Sequence, residues 1–132
     1  TRKPESGNNL LTFYDAYSTD DYVGTAVKTY TDKGFSGRIW ILVGFLPDGS
    51  IQNTAILEHK ETPGLGDKLD VNLSDFPLQF IGKNPKSWKL TVKNDGGDVQ
   101  AITAATISSR AFCDAIDRAY SCFMKNNNGG TE

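Results

Sequence analysis

Residues 35–59 read FSGRIWILVGFLPDGSIQNTAILEH and carry the strongest structural signal in the chain. Residues 39–46 are almost continuously apolar, which is typical of a strand that is covered on both faces or lies in the centre of a sheet. The PDGS sequence at residues 47–50 places proline and glycine where a tight turn requires them. Residues 51–59 then form the return strand. The sequence therefore predicts a central β-hairpin.

Two further strands are predicted outside the hairpin. Residues 22–31, YVGTAVKTYT, are rich in the β-branched and aromatic residues that favour strands. Residues 88–93, WKLTVK, alternate between apolar and polar side chains, so the apolar ones should face the interior. The NDGGD sequence at residues 94–98 predicts a turn, and we interpret its two aspartates as turn residues rather than as a catalytic carboxylate pair. Between the hairpin and residue 88, Phe76 and Phe80 could lie on a short helix.

The last part of the chain predicts one long amphipathic helix, from about residue 108 to residue 124. Its apolar stripe consists of Ala111, Phe112, Ala115, Ile116, Ala119 and Phe123. Because the strands come first and the helix last, we predict an α+β fold with a mainly antiparallel sheet, a central hairpin and a long C-terminal helix. A single domain should cover residues 1–132, with an N-terminal extension at residues 1–20 and a disordered tail at residues 126–132.

Composition limits the possible partners. The chain has 132 residues and a formal net charge of −2, without a basic stripe, which argues against nucleic acid as a partner. No apolar run is long enough to span a bilayer, and no signal peptide is present. The chain begins at Thr1 with a polar segment, which we interpret as the result of removing an upstream segment. A membrane anchor is one candidate for that segment.

Common catalytic and metal-binding patterns are missing from the sequence. His59 is the only histidine, and neither a nucleophile elbow nor a P-loop or dinucleotide fingerprint occurs. Cys113 and Cys122 are nine positions apart on the predicted helix, too far to form a disulfide with each other. They lack the clustering of a zinc or iron–sulfur site, so we interpret them as small apolar fillers. We predict no catalytic residue and no metal site.

The stretch VQAITAATISSRAF, residues 99–112, places small and hydroxylated residues at the start of the predicted helix. The first amides of a helix have no intrahelical acceptor and carry partial positive charge, and nearby hydroxyls add donors. This chemistry suits a phosphate group. The alternative is simple N-capping by Thr106 or Ser108.

A second unusual stretch is EHKETPGLGDK, residues 58–68. Pro63 and Gly64 suit the centre of a type II turn. Gly64 and Gly66 would expose backbone amides and allow a flat ligand to approach closely. The alternative is a tight connection without a ligand.

The two stretches in this order, together with the hairpin, resemble the FMN-binding domain of the Rnf and Na+-translocating NADH:quinone reductase complexes, with the G subunits of Rnf most similar. The resemblance runs from about residue 24 to residue 120. It implies FMN joined by a phosphoester to the hydroxyl of Thr106. It also implies two groups of FMN contacts. The phosphate seat consists of Thr103, Ala104, Ala105, Ser108 and Ser109. The ring side consists of Glu61, Thr62, Gly64, Leu65 and Gly66, and Lys68 and His59 are further ring-side residues that the resemblance implies.

The same resemblance implies an electron-transfer subunit of a membrane ion-translocating oxidoreductase complex. Its partners would be the other subunits and a flavin transferase, and it would lie on the periplasmic face, anchored by an N-terminal helix absent from this chain. The sequence departs from the family at Ala104, where glycine or serine is usual, and at Gln100, where aspartate is frequent. Two alternatives are an FMN module of another extracytoplasmic flavin reductase or of the Na+-translocating NADH:quinone reductase, and a non-redox binding domain.

Overall fold

A computed structural model describes residues 11–34, 36–61, 66–70, 73–103 and 105–128. In this part of the chain, four β-strands precede one α-helix, and three short 3-10 helices lie between them. The strands are β1 (Thr12–Ser18), β2 (Asp21–Thr31), β3 (Ile39–Phe45) and β4 (Ile51–Glu58), and the helix is α1 (Thr106–Asn128). The 3-10 helices are Gly66–Leu69, Phe76–Phe80 and Lys93–Asp95.

The four strands form one antiparallel sheet in the order β1-β2-β3-β4. Strands that follow one another in sequence are therefore neighbours in the sheet. β3 lies between β2 and β4, which confirms the central position that its apolar sequence predicts. The α+β class, the β3–β4 hairpin and the long C-terminal helix are all confirmed.

Helix α1 packs against one face of the sheet and closes the core. Alternate residues of β3 and all six residues of the predicted helical stripe are buried, most of them completely. The ring of Phe45 on β3 stacks on Phe123 of α1 with centroids 4.9 Å apart. Thr29 of β2 adds a polar link, because its hydroxyl donates to the carbonyl of Ala115 at 3.0 Å. The helix is thus fixed along its length on the strands.

The predicted strand at residues 88–93 is wrong. Only Val92 forms a bridge, a single parallel one with Val99, although Trp88 and Leu90 do pack against the core as expected. The backbone groups of this segment pair with the glycine turn that follows: the amide of Asp98 donates to the carbonyl of Lys89 at 3.1 Å. The side chain of Asp98 accepts the Lys89 amide at 2.7 Å. The local turn therefore satisfies groups that a strand would offer to a neighbour.

Both ends of the fold extend beyond their predicted limits. The N-terminal extension contributes strand β1, which the sequence does not predict, and its Phe13 is fully buried. β1 is an edge strand with a mostly exposed outer face, so its hydrophobic alternation is weak. Helix α1 spans Thr106–Asn128, so it is longer at both ends than the predicted helix from about residue 108 to residue 124. Residues 129–132 lie outside the described part of the chain.

Gly49 in the hairpin turn has the positive φ that PDGS predicts, +93°. An added Cβ would also lie 3.1 Å from Tyr120 Cε1 and 3.3 Å from Met124 Sδ on α1. We therefore expect Gly49→Ala to lower the free energy of unfolding by about 2 kcal/mol, measured by urea denaturation. Gly96→Ala is the matched control, because Gly96 has a φ of +90° and open space around its Cβ position. It should cost about 1 kcal/mol; equal losses would show that the contact with α1 contributes nothing.

Candidate functional site

The two unusual stretches of the sequence meet in the structure. Glu61 lies three residues beyond the end of β4, and Ser108 is the third residue of α1. The Ser108 hydroxyl donates to Glu61 Oε1 at 2.5 Å, across 47 positions of sequence. Both residues are almost fully buried, at 4% and 3% exposure. The stretch at residues 58–68 is therefore joined to the helix start, at Glu61, by a buried hydrogen bond.

The same carboxylate reaches a third segment. Glu61 Oε2 accepts the backbone amide of Ser36, in the connection between β2 and β3, at 2.9 Å. The position of Glu61 is itself fixed, because its amide donates to Nδ1 of His59 at 2.9 Å. Gly34 also lies against the carboxylate, since an added Cβ there would be 3.1 Å from Glu61 Oε2. Glu61 thus joins the β2–β3 connection, the loop after β4 and the start of α1.

Ser109 holds the turn that leads into the helix. Its fully buried hydroxyl donates to the carbonyl of Ala105 at 2.9 Å and accepts the amide of Ile102 at 2.9 Å. The amide of Ala105 in turn donates to the carbonyl of Ile102 at 3.0 Å. The hydroxyls of Ser108 and Ser109 are therefore both used inside the protein. For Ser108 this is a bond to Glu61 rather than the N-cap that the sequence left open.

Thr106 differs from these serines in its exposure. It is the first residue of α1 and is partly exposed, whereas Ala105 before it is buried. Thr103 is exposed, and Ile107 exposes 46% of its surface. The first amides of the helix have no carbonyl four residues earlier within the helix and carry partial positive charge. Amide donors beside an accessible hydroxyl fit a phosphate group and an ester bond to threonine.

Gln79 restrains the segment that precedes Thr106. Its side-chain Oε1 accepts the amide of Gln100 at 2.8 Å, and its Nε2 donates to the Gln100 carbonyl at 2.9 Å. Sequence reasoning does not identify Gln79, because a single glutamine in a short helix has no motif. The side chain of Gln100 is exposed, so its departure from the family pattern changes the surface and not the packing.

The ring side implied by the resemblance is described only in part. Thr62, Gly64 and Leu65 lie outside the described residues, as does Ala104 of the phosphate seat. Gly66 begins the 3-10 helix that packs against α1, and Lys68 within that helix is half-buried. The carbonyl of Lys68 accepts the hydroxyl of Ser74 at 2.6 Å. Gly66 and Lys68 therefore lie on an element that contacts α1.

Other reactive side chains have structural positions. Burial raises the pKa of the Cys113 thiol to about 12, so the thiol stays protonated at neutral pH. The guanidinium of Arg110 binds Asp95 at 2.7 and 3.0 Å and lowers the pKa of that carboxyl group. Among the described residues, no group of three or more histidine, cysteine or acidic side chains is arranged to hold a metal ion. None of the helices in the described ranges is long and apolar enough to cross a membrane.

The chain is similar to a known domain family and to proteins of one named complex. A family described as FMN-binding domain matches residues 34–121. The chain is 41% identical over 119 residues to the G subunit of the ion-translocating oxidoreductase complex from Erwinia tasmaniensis, covering 87% of this chain and 57% of that protein. It is 40% identical over 121 residues to the protein of the same name from Escherichia coli K12, covering 88% and 58%. The chain thus spans less than three fifths of the length of these relatives.

The fold has a solved counterpart. The crystal structure of Shewanella oneidensis NqrC superposes with a TM-score of 0.69 at 21% sequence identity, covering 89% of this chain and 60% of that one. This likeness concerns the fold, whereas the family match includes both stretches that meet at the start of α1. The chain therefore belongs to the family of FMN-binding domains.

Proposed function

We propose that this domain carries FMN through a phosphoester to Thr106 and transfers electrons within an ion-translocating oxidoreductase complex. The observation that supports it most directly is the buried Glu61–Ser108 hydrogen bond, which joins the residue before the glycine-rich sequence to the helix start that bears Thr106. The relatives named as subunits of such a complex support the same role.

Each part of the helix start has a task in this proposal. Thr106 supplies the hydroxyl oxygen: it loses its proton as its bond to the flavin phosphorus forms, while the pyrophosphate bond of a flavin dinucleotide donor breaks and the nucleoside monophosphate leaves. The amides of the first helical turn, with the hydroxyl of Thr103, hold the phosphate. Ser108 and Ser109 position this turn from inside the protein, because their hydroxyls already have protein partners. Gly66 and Lys68 lie on the side where the isoalloxazine ring would be held.

A covalent attachment through phosphate has two consequences. The ring is left chemically unmodified, so when bound it supplies the ordinary flavin chemistry of accepting and donating electrons singly or in pairs. The tether keeps the flavin at high effective concentration, so a modest pocket is sufficient to hold it. Such an arrangement suits a compartment in which free FMN is scarce.

As part of such a complex, the domain would have a defined location and defined partners. It would lie on the periplasmic face of the membrane, anchored by an N-terminal helix outside this chain, and exchange electrons with the other subunits of an Rnf-type complex. A separate flavin transferase would attach the FMN. The matched relatives are longer than this chain, which is compatible with further segments in those proteins.

A relay role fits the chain better than an independent reductase. Hydride transfer requires a pocket that places a substrate beside the ring, together with a positioned acid or base. The only histidine, His59, uses Nδ1 to accept the amide of Glu61, and the sequence has no nicotinamide fingerprint. An electron relay requires only a ring edge that a docked partner can approach.

We therefore predict that the flavin-bearing domain is reduced by dithionite or by a partner electron carrier, but not by NADH or NADPH at a meaningful rate. The ring should be partly open to solvent, so iodide should quench the flavin fluorescence. Absorbance at the flavin maximum follows the reduction, and free FMN provides the reference for quenching. Rapid reduction by NADH alone, or a flavin fully protected from iodide, would instead support a reductase.

Co-expression with a flavin transferase tests the cofactor assignment. The purified protein should be yellow, keep its colour after denaturation and gel filtration, and gain the mass of one FMN less one water. A protein that remains colourless and unmodified would favour the non-redox binding domain.

A further inference from the structure

We infer that Glu61 is a positioning residue for flavin attachment: its buried carboxylate fixes the first turn of α1 so that Thr106 is presented in one geometry. This inference rests on the proposed function. It differs from the ring-side role that the resemblance implies, because the carboxylate contacts the helix start and the β2–β3 connection.

The burial of Glu61 makes its hydrogen bonds important. A carboxylate with 4% exposure has lost most of its contact with water, and burial without replacement hydrogen bonds would be costly. The Ser108 hydroxyl and the Ser36 amide supply such bonds at 2.5 and 2.9 Å. Hydrogen bonds to a carboxylate are stronger than those between neutral groups. The link between the three segments should therefore resist opening.

The position of Ser108 explains how the link acts on Thr106. The two residues are separated by one position in the first turn of α1, a part of a helix that otherwise tends to fray. Ser109 also restrains this turn, through its hydrogen bonds with Ile102 and Ala105. Thr106 thus projects from a turn whose neighbouring residues are held, while remaining partly exposed itself.

A fixed turn favours attachment for two reasons. The hydroxyl of Thr106 must meet the phosphorus in a narrow range of orientations, and a hydroxyl held in advance loses less freedom on reaction. The first amides can bind the phosphate together only when the turn is formed. Loss of the hydrogen bond between Glu61 and Ser108 should therefore lower the rate of attachment. The loss of rate should be larger than that caused by an equally destabilising substitution elsewhere in the core.

The test compares initial rates of FMN mass gain, with limiting flavin transferase, in folded single variants. Glu61→Leu removes the hydrogen bonds to Ser36 and Ser108, and Ser108→Ala removes one of these two partners, so each should slow attachment by about tenfold or more. Glu61→Gln is the conservative variant, because its amide can accept from Ser36 and donate to Ser108, and it should stay within about threefold of the unsubstituted rate. Combining Glu61→Leu with Ser108→Ala should add little to Glu61→Leu alone.

Two controls separate positioning from general stability. Glu58→Leu changes an exposed glutamate three residues earlier and should leave the rate unchanged. Val27→Ala opens the core at a fully buried site on β2, and should lower the melting temperature without a comparable loss of rate. In the flavin-free protein, hydrogen exchange of the amides of Ala105 and Ser109, which donate to the carbonyls of Ile102 and Ala105, should accelerate in Ser108→Ala but not in Glu58→Leu.

The outcomes are distinct. No mass gain in the unsubstituted protein overturns the proposed function, and this inference with it. Normal modification of the unsubstituted protein, with Glu61→Leu and Ser108→Ala within about twofold of its rate, overturns this inference alone. If Glu61→Leu does not fold, the attachment rates of Ser108→Ala and Glu61→Gln provide the test. A slow Ser108→Ala with a nearly normal Glu61→Gln supports the positioning role, and a normal rate in Ser108→Ala contradicts it.

Discussion

Thr106→Val is expected to abolish covalent flavin attachment while leaving the domain folded. Valine has nearly the same shape as threonine but lacks the hydroxyl oxygen to which phosphorus would be bonded. Thr106 is partly exposed at the first residue of α1, and valine keeps the volume of its side chain, so the fold should be retained. Intact mass after co-expression with a transferase should show the unmodified chain, and circular dichroism should match that of the unsubstituted protein.

Thr103→Val is the matched control for this experiment. Thr103 has the same side chain, lies three residues earlier and is exposed, so it is available to any nonselective reaction. This variant should still gain one FMN. Retention of the flavin by Thr106→Val would place the ester elsewhere, whereas its loss in Thr103→Val would show that the Thr103 hydroxyl is required to hold the phosphate. An unfolded Thr106→Val would instead indicate that the flavin is part of the core.

Phe112→Ala should lower the free energy of unfolding by about 3–5 kcal/mol. Phe112 is fully buried, and its ring lies 5.2 Å from that of Phe76 and 5.1 Å from that of Phe80. Truncation would leave a cavity where α1 meets the 3-10 helix that carries Gln79. The support for the segment before Thr106 should weaken as well.

Urea denaturation followed by tryptophan fluorescence measures this effect, since the ring of Trp88 lies 5.4 Å from Phe80. Phe112→Leu is the control, because it keeps an apolar side chain in the site and should cost clearly less. A loss below about 1 kcal/mol for Phe112→Ala would contradict the close packing described here.

The hairpin and the helix could be predicted from sequence because their signals are local and repeated. β3 is an almost continuous apolar run, and the PDGS sequence specifies the turn that follows it. The apolar stripe of α1 follows helical spacing. β1 could not be predicted, since an edge strand with one buried phenylalanine has little pattern. Residues 88–93 have the clear apolar–polar alternation of a strand but do not form one. Their backbone hydrogen-bonding groups pair instead with the turn that follows them.

The candidate site could be predicted only at the level of its two stretches. The chemistry of small and hydroxylated residues at a helix start indicates a phosphate, and the resemblance indicates FMN. The roles of Glu61 and Gln79 depend on partners far away in sequence, as the 47 positions between Glu61 and Ser108 illustrate. Such roles become visible only when the fold brings these partners together.

Peptide mapping of the flavin-bearing protein tests the central claim most directly. After co-expression with a flavin transferase, the protein is digested and the yellow peptide is sequenced by tandem mass spectrometry. We predict the mass of one FMN less one water on Thr106 and on no other residue. Flavin found on Thr103 or elsewhere, or released completely by denaturation, would contradict the phosphoester at Thr106.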